Sequence, residues 1–556
     1  MDNILLVAVN SKFIHSNPAI YSIRSFAEKC GRKFNVPLPR ISLCEFSVND
    51  TEERILFEIC DKRPDVIGFS VYIWNCGTVK RLCRKLRRVL PDTKIILGGP
   101  QVSFSAESLP FTDDDYDYII QGEGEKSFFT LAGKIFENGF VPPREWNFSL
   151  TGKICKCADT VDLDEFPFIY GDDNVDSFKN RIVYYESSRG CPFRCAYCLS
   201  SLCGNVRSLS LERVKKDLKF FIDKKIPHIK FVDRTFNYDK KRAKEIWKFL
   251  IENHNENSTD FHFEINADIL DEESIEILNS APVGLFKIEA GIQSYNEDTL
   301  REIGRISRLE ILTENLKRIA EKNNITLHSD LIFGLPLENT DSFILSFNEA
   351  YKIRSHQLQL GFLKLLPGAP LNGMIEKHGF VFSEEPPYEI ISNNYISFSD
   401  VIFMKKIEDV FEKYYNSGRF SFSLDYLEKF FETPFEMYKK IAEKSEEKNL
   451  IFQSVSTKIL YCFLHDFFED FSRENLPEFD RILLLDFYSS DRSNQLPSSL
   501  RYLSPENRRR KNELSEQGFR ESLKSTLRFI GNEIYIFDYE NKNPVTQKYD
   551  YKKADD

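Results

Sequence analysis

The stretch Ser187-Ser188-Arg189-Gly190-Cys191-Pro192-Phe193-Arg194-Cys195-Ala196-Tyr197-Cys198 decides the reading of this chain. Its three cysteines are spaced C-x3-C-x2-C, with an aromatic residue just before the last. Thiolates hold iron–sulfur clusters, and a cubane ordinarily takes four of them. Three close thiolates leave one iron with an open position for a substrate or cofactor. Two other readings stand beside this one on spacing alone. The run is a chance grouping in a chain of twelve cysteines, or a zinc site that lacks a fourth partner at a usual spacing.

Working outward, the 556 residues suggest three or four domains, at about 150 residues each. A hydrophobic share of 42% is enough for full cores, and a net charge of −11 without a long basic block argues against bulk nucleic-acid binding. The N-terminal run Ile4-Leu5-Leu6-Val7 has no basic flank and no cleavage-type site, so it reads as a first strand and not a signal peptide. No apolar run is long enough to span a bilayer. The expectation is a cytoplasmic protein whose reduced cysteines can serve metals.

Residues 1–140 alternate strand and helix. Strands are predicted at Ile4–Val9, Ile41–Phe46, Val66–Ser70, Lys94–Leu97 and Tyr118–Gln121, with helices between them and over Lys126–Asn138. This pattern predicts a doubly wound parallel sheet, with ligands at the carboxyl ends of its strands. No G-x-G-x-x-G follows the first strand, so the dinucleotide fingerprint is absent. Gly98-Gly99 and Gly122-x-Gly124 either let a large flat ligand approach the backbone or only make tight turns. Residues 141–180, with Pro142-Pro143 and Leu163-Asp164-Glu165-Phe166-Pro167, read as an extended linker. The Cys155-Lys156-Cys157 pair within it is read as structural.

Residues 181–400 carry six strand candidates, at Ile182–Glu186, Ile229–Asp233, Phe261–Asn266, Phe286–Ile292, Thr326–Phe333 and Gln357–Leu366, separated by helices. Six such units predict a partial parallel (β/α)6 barrel with the cysteines in the loop after its first strand. Residues 401–556 read as a mixed, mainly helical accessory domain: amphipathic helices at Phe411–Tyr415, Leu424–Phe431, Pro434–Lys444 and Ser456–Phe471, and strands at Ile482–Phe487 and Phe529–Tyr539. The basic run Asn507-Arg508-Arg509-Arg510-Lys511 reads as a solvated loop.

The central span resembles the catalytic core of radical S-adenosylmethionine (SAM) enzymes. The resemblance rests on the cysteine run, on Phe231-Val232-Asp233-Arg234-Thr235-Phe236-Asn237, on Glu289-Ala290-Gly291-Ile292-Gln293-Ser294, and on Asp330-Leu331-Ile332-Phe333-Gly334-Leu335-Pro336. The first domain resembles the cobalamin-binding domain that precedes many of these enzymes, through Ile67-Gly68-Phe69-Ser70, Gly98-Gly99-Pro100-Gln101-Val102 and Gly122-Glu123-Gly124-Glu125. The chain is thus similar to cobalamin-binding radical SAM proteins with an uncharacterised C-terminal domain, methyltransferases among them.

The resemblance implies the site. Cys191, Cys195 and Cys198 would ligate three irons of a [4Fe-4S] cluster whose fourth iron chelates SAM. Tyr197 would pack on the adenine. Asp233, standing where Gly-Gly-Glu is usual, would accept from the SAM ammonium. Glu264 or Asn266, with Gln293, Arg305 and Asp330, would bind its carboxylate and ribose, and Glu289 would face SAM or substrate. Arg189 and Arg194 would tune the cluster. Cobalamin would lie on Ser70, Gly98, Gly99, Gly122, Glu123 and Gly124. The D-x-H-x-x-G motif is missing, so the lower cobalt face is expected to receive no histidine, and His15 reads as a hydrogen-bonded loop residue.

The implied activity is cleavage of SAM to a 5′-deoxyadenosyl radical under anaerobic conditions, with methyl transfer to an unactivated carbon. A cyclase or rearrangement enzyme without methyl transfer, and a non-catalytic cobalamin or cluster sensor, are the alternatives. The implied partners are a small-molecule or peptide substrate and an external one-electron donor such as flavodoxin or ferredoxin. No membrane or nucleic-acid partner is implied.

Overall fold

A computed structural model describes residues 3–104, 109–157, 161–254, 259–493, 495–503, 525–531 and 533–554. These fall into two compact units, the first comprising residues up to 266 with 303–305 and 363–393, the second the remainder.

The first unit opens with the apolar run of the N-terminus as β1 (Asn3–Asn10), whose Ile4–Val9 are all at most 2% exposed. A strand this uniformly apolar must be covered on both faces, which a parallel sheet with flanking helices provides. β2 (Arg40–Ser47), β3 (Val66–Ser70), β4 (Lys94–Gly98) and β5 (Tyr118–Ile120) follow, in the order β2-β1-β3-β4-β5, all parallel. The order reverses between β1 and β3, so the loops after those strands splay apart and open a crevice at the carboxyl edge. Asn75, fully buried, fastens the β3 loop by donating to Val9 O and Ser70 O at 2.9 Å each.

The segment expected as an extended linker is more structured. β6 (Phe148–Thr151) and β7 (Ile154–Cys157) form a hairpin that joins the sheet through β5. Gly152, at φ +58, makes the turn, and Cys155 is fully buried while Lys156 is exposed, the alternation of a half-covered edge. Cys155 therefore serves packing, as expected.

The same unit holds the first barrel strands, β8 (Val183–Tyr185), β11 (His228–Phe231) and β12 (Asp260–Ile265), paired in parallel as β8-β11-β12. Between β8 and β11, a two-residue ribbon of β9 (Ser188–Arg189) and antiparallel β10 (Arg207–Ser208) frames the cysteine loop.

The second unit contains β13 (Phe286–Gln293), β14 (Thr326–Phe333) and β15 (Gln357–Phe362), again parallel, with helices after β13 and β14. It continues into helices Phe398–Tyr414, Ser421–Leu427, Pro434–Glu447, Thr457–Phe471 and Leu476–Ser490, and an antiparallel sheet of Ser525–Ile530, Glu533–Lys542 and Tyr549–Lys553. Ile482–Phe487, expected as a strand, lies inside the last of these helices. Phe479, Leu483, Leu484 and Phe487 are all fully buried, a spacing of three to four that a helix satisfies and a strand does not. The abundant phenylalanines build this core: Phe411 packs on Tyr438 at 4.7 Å and on Phe347 at 5.3 Å between ring centres. The basic run 507–511 lies outside the described residues.

Candidate functional site

The cysteine loop is pinned at several points. Ala196 N–H donates to Ile303 O at 2.8 Å, and Leu371 N–H donates to Ala196 O at 2.9 Å, so the middle of the loop is bonded on both sides. Cys195 is 7% exposed, with Arg305 Nη1 3.9 Å from its sulfur. Cys191 Sγ lies 3.6 Å from the Thr235 hydroxyl. Tyr197 belongs to the same group. Burial raises its phenol, and Arg305 only partly opposes this.

Asp233 holds the loop's entrance. Its carboxylate accepts from Ser187 N–H at 2.8 Å and from the hydroxyls of Ser187 and Ser188 at 2.6 Å each, all buried. Burial pushes this carboxyl up, and the three donors restrain the rise. The work visible for Asp233 is thus to tie β9 to the end of β11. Asn266 is placed in a similar way: Asn237 brackets its backbone, accepting from its N–H at 2.9 Å and donating to its carbonyl at 2.8 Å.

Arg189 enters a carboxylate cage. Its guanidinium meets Glu123 at 3.0 Å, Glu125 at 3.1 Å and Glu186 at 2.8 Å, and lies 5.1 Å from the Phe166 ring centre. Glu123 also pairs with Arg207. Burial alone would lower the Arg189 guanidinium; Glu125 and Glu186 outweigh it and hold it well above its ordinary value. Burial likewise pushes Glu125 up, but Arg189 and Ser22 bring it below the usual carboxylate range. Arg194, by contrast, is exposed.

A cavity of about 610 Å³ opens in this unit. The loops after β1 and β3 supply His15, Asn17, Tyr72 and Trp74; β8, β11 and β12 supply Tyr184, Lys230 and Glu264; Glu125, Glu186 and Arg189 complete one side. The Tyr72 and Trp74 rings stack, with centres 4.4 Å apart at 9°. His15 Nδ1 is hydrogen-bonded to the Tyr184 hydroxyl at 2.6 Å, and burial, with Lys12 and Lys230, keeps its ring below the usual histidine value. Lys230 stands 3.8 Å from Glu264. Sequence reasoning placed Glu264 but missed Tyr184, Glu186 and Lys230; the period of two along β8 and β11 was their signal.

The expected cradle borders this cavity without lining it. The Ser70 hydroxyl accepts from the lining residue Asn17 at 2.9 Å. A side chain at Gly98 or Gly122 would meet no atom within 4 Å of its Cβ, whereas at Gly99, with φ +105, it would stand 2.6 Å from Val71 O. Gly99 thus closes one loop on the next, while among the described residues nothing stands over Gly98 at the sheet edge. Gly124 packs against Ile23 and Glu123 is held by arginines.

In the second unit, Glu289, Gln293 and Asp330 share one face of β13 and β14. Register sets Glu289 beside His328 and Gly291 beside Asp330. Donor atoms of Glu289, His328 and Asp330 all fall within 4.8 Å of one another, with His328 Nε2 3.0 Å from Asp330 Oδ1. His328 was not foreseen. Gln293 sits at φ +75, at a register shift after Gly291, a left-handed backbone that a non-glycine residue adopts at some cost.

The three cysteines on one short loop offer the thiolate donors that an iron–sulfur cluster takes. Arg305 stands beside the Cys195 sulfur and the Thr235 hydroxyl beside that of Cys191. The sheet edge at Gly98 and the crevice between the β1 and β3 loops likewise fit a large ligand on the first sheet.

Comparison with known proteins agrees. Residues 4–132 match the B12 binding domain, 185–350 the Radical SAM superfamily, and 376–535 a protein of unknown function family, DUF4080. The chain is 24% identical over 340 residues to 2-(S-pantetheinyl)-carbapenam-3-carboxylate methyltransferase of Streptantibioticus cattleyicolor, covering 56% of this chain and 48% of that one. It is 25% identical over 350 residues to the cobalamin-dependent radical SAM methyltransferase TokK of Streptomyces tokunonensis, covering 57% and 49%. The chain thus spans about half the length of these curated relatives.

Among solved structures, the cobalamin-dependent SAM radical enzyme OxsB with aqua-cobalamin bound is similar with a TM-score of 0.59 at 18% identity, over 94% of this chain and 82% of that one. The radical SAM methyltransferase TsrM from Kitasatospora setae follows at 0.55 and 17%, over 68% and 78%. These likenesses carry the fold. The radical SAM domain implies a [4Fe-4S] cluster and SAM, and the B12 domain implies cobalamin. In chain order the protein thus carries a B12 binding domain, a Radical SAM domain and a DUF4080 domain.

Proposed function

We propose that this protein is a cobalamin-dependent radical SAM methyltransferase acting on an unactivated carbon of a small molecule or peptide. The observation that carries the reading is the meeting of two features in one unit. The three-cysteine loop is fastened through Arg189 to residues that line the 610 Å³ cavity at the edge of the B12-type sheet. The names of the two curated relatives support methyl transfer.

When bound, the cluster passes an electron to SAM and cobalamin carries a methyl group. The chain's own residues orient and insulate. Cys191, Cys195 and Cys198 would hold irons, with the Arg305 guanidinium beside the Cys195 sulfur. Tyr197 offers an apolar face beside it. Glu264, Lys230 and Asn17 present polar atoms to whatever fills the cavity. For Glu289, Gln293 and Asp330, the support for a SAM contact is their common strand face and the sequence resemblance. The electron comes from an external one-electron donor such as flavodoxin or ferredoxin.

The test is anaerobic purification with hydroxocobalamin supplied, metal analysis, then incubation with SAM and dithionite. Methyl transfer predicts cobalt and four irons per chain and both S-adenosylhomocysteine and 5′-deoxyadenosine. The second product alone, with no cobalt retained, would replace this reading with a radical enzyme that transfers no methyl group.

A further inference from the structure

We propose that Arg189, held by Glu123, Glu125 and Glu186, is a positioning residue that locks the cysteine loop to the first sheet and sets the charge felt by the cluster. The inference deepens the functional reading above and rests on its three-cysteine cluster.

Arg189 closes β9 two residues before Cys191, so its Cα lies no more than about 7 Å from that ligand's. The link is stiff. Gly190, between them, has φ +107, and a Cβ there would stand 2.9 Å from Asn205 O. On the far side, Glu123 and Glu125 follow β5 of the first sheet, and Glu125 also accepts from the Ser22 hydroxyl at 3.1 Å. Arg189 grips Glu186 with two nitrogens, Nε at 3.0 Å and Nη2 at 2.8 Å, and Nη2 also reaches Glu125. Such a fork fixes direction as well as distance.

An exposed ion pair would add little. This one is different, because the Glu125 side chain is 7% and the Arg189 side chain 20% exposed. A buried charge stripped of its partner is costly, so the cage must move as one piece. Three carboxylates meet two guanidiniums, those of Arg189 and Arg207. The balance beside the cysteine loop is therefore close, and one substitution tips it. Glu125, Glu186 and Arg189 also line the cavity, so its occupant touches the same clamp.

The prediction is one of sign. Adding an electron to the cluster is harder when a nearby positive charge is lost and easier when a negative one is lost. Arg189→Gln should lower the cluster's midpoint potential and Glu125→Gln should raise it. The Arg189→Gln/Glu125→Gln double variant should return towards wild type. At an effective dielectric constant of about 20, a unit charge within about 10 Å of the cluster alters the reduced-to-oxidised ratio at fixed poise by about tenfold or more. Arg189→Lys keeps the charge but loses the fork, and should hold the potential while lowering iron retention.

The experiment is an anaerobic redox titration of the reconstituted full chain, followed by electron paramagnetic resonance, with iron counted in each sample. Opposite shifts from the two single variants support the clamp. Shifts of the same sign, or none, in variants that carry the cluster overturn it. If Arg189→Gln does not fold, Glu125→Gln and Glu123→Gln must each still raise the potential, and failure to do so also overturns it. A wild-type chain without a four-iron cluster would overturn the functional reading on which the inference rests.

Discussion

Replacing Asp233 tests whether the cysteine loop is held as described. In Asp233→Ala, the Ser187 amide and the hydroxyls of Ser187 and Ser188 lose their acceptor, at positions 0% and 3% exposed. Each orphaned buried donor costs about 1–3 kcal/mol. The hydroxyls can turn towards other acceptors and the amide cannot. Against this, burial already makes the ionised Asp233 costly to hold. The net loss is about 3–5 kcal/mol. Asp233→Asn keeps one carbonyl oxygen and should cost about 1–2 kcal/mol. The assays are iron per chain after anaerobic gel filtration, and thermal unfolding. Asp233→Ala should melt earlier and shed most of its iron, while Asp233→Asn keeps it. Full iron and an unchanged melt in Asp233→Ala would refute the reasoning. So would Asp233→Asn with normal iron and melting but no SAM binding, which would make the carboxylate a SAM contact.

Cys195→Ala should abolish SAM cleavage, read as loss of 5′-deoxyadenosine in the dithionite assay; turnover at the wild-type rate would contradict the ligand assignment. Gly98→Phe should leave the melting temperature unchanged, because its Cβ meets nothing within 4 Å, yet reduce uptake of hydroxocobalamin followed by absorbance. Gly99→Ala is the converse: with φ +105 and Val71 O at 2.6 Å, it should destabilise the chain by about 1–3 kcal/mol. Glu338 gives a pH test. Burial raises its carboxyl from 4.5 to about 7, despite hydrogen bonds from Ser294 and Ser346. Between those values the folded chain keeps a proton that the unfolded chain releases, so Glu338 destabilises the fold increasingly as pH climbs from 4.5 to about 7, by about 3 kcal/mol in all. Glu338→Gln should therefore gain on wild type between pH 5 and pH 8 in urea denaturation; parallel curves would contradict the raised carboxyl.

What the sequence displayed was local. The C-x3-C-x2-C spacing, the uniformly apolar β1 and the glycine pairs at strand ends each depend on neighbours within a few residues, and the strand and loops they mark lie at the expected places in the fold. The misread pieces were ambiguous for physical reasons. Ile482-Leu483-Leu484-Leu485 is a short apolar run that suits a buried helix as well as a strand. The hairpin at 148–157 lacks a strong turn dipeptide and shows only a weak alternation. The partners of Asp233 lie 45 and 46 residues away, and those of Arg189 include Glu125, 64 residues earlier, and Glu123 before it. No spacing rule reveals such pairs. His328 joins Glu289 only through the register of β13 on β14. Tertiary register, more than residue type, separates the part of the site that could be foreseen from the rest.

The central claim is a three-thiolate cluster with one iron left for SAM. Mössbauer spectroscopy of the 57Fe-reconstituted chain, with and without SAM, addresses it most directly. The account predicts a four-iron cubane in which the signal of one iron alone moves when SAM is added. A zinc-only protein, or a cubane whose four irons are all indifferent to SAM, would contradict it.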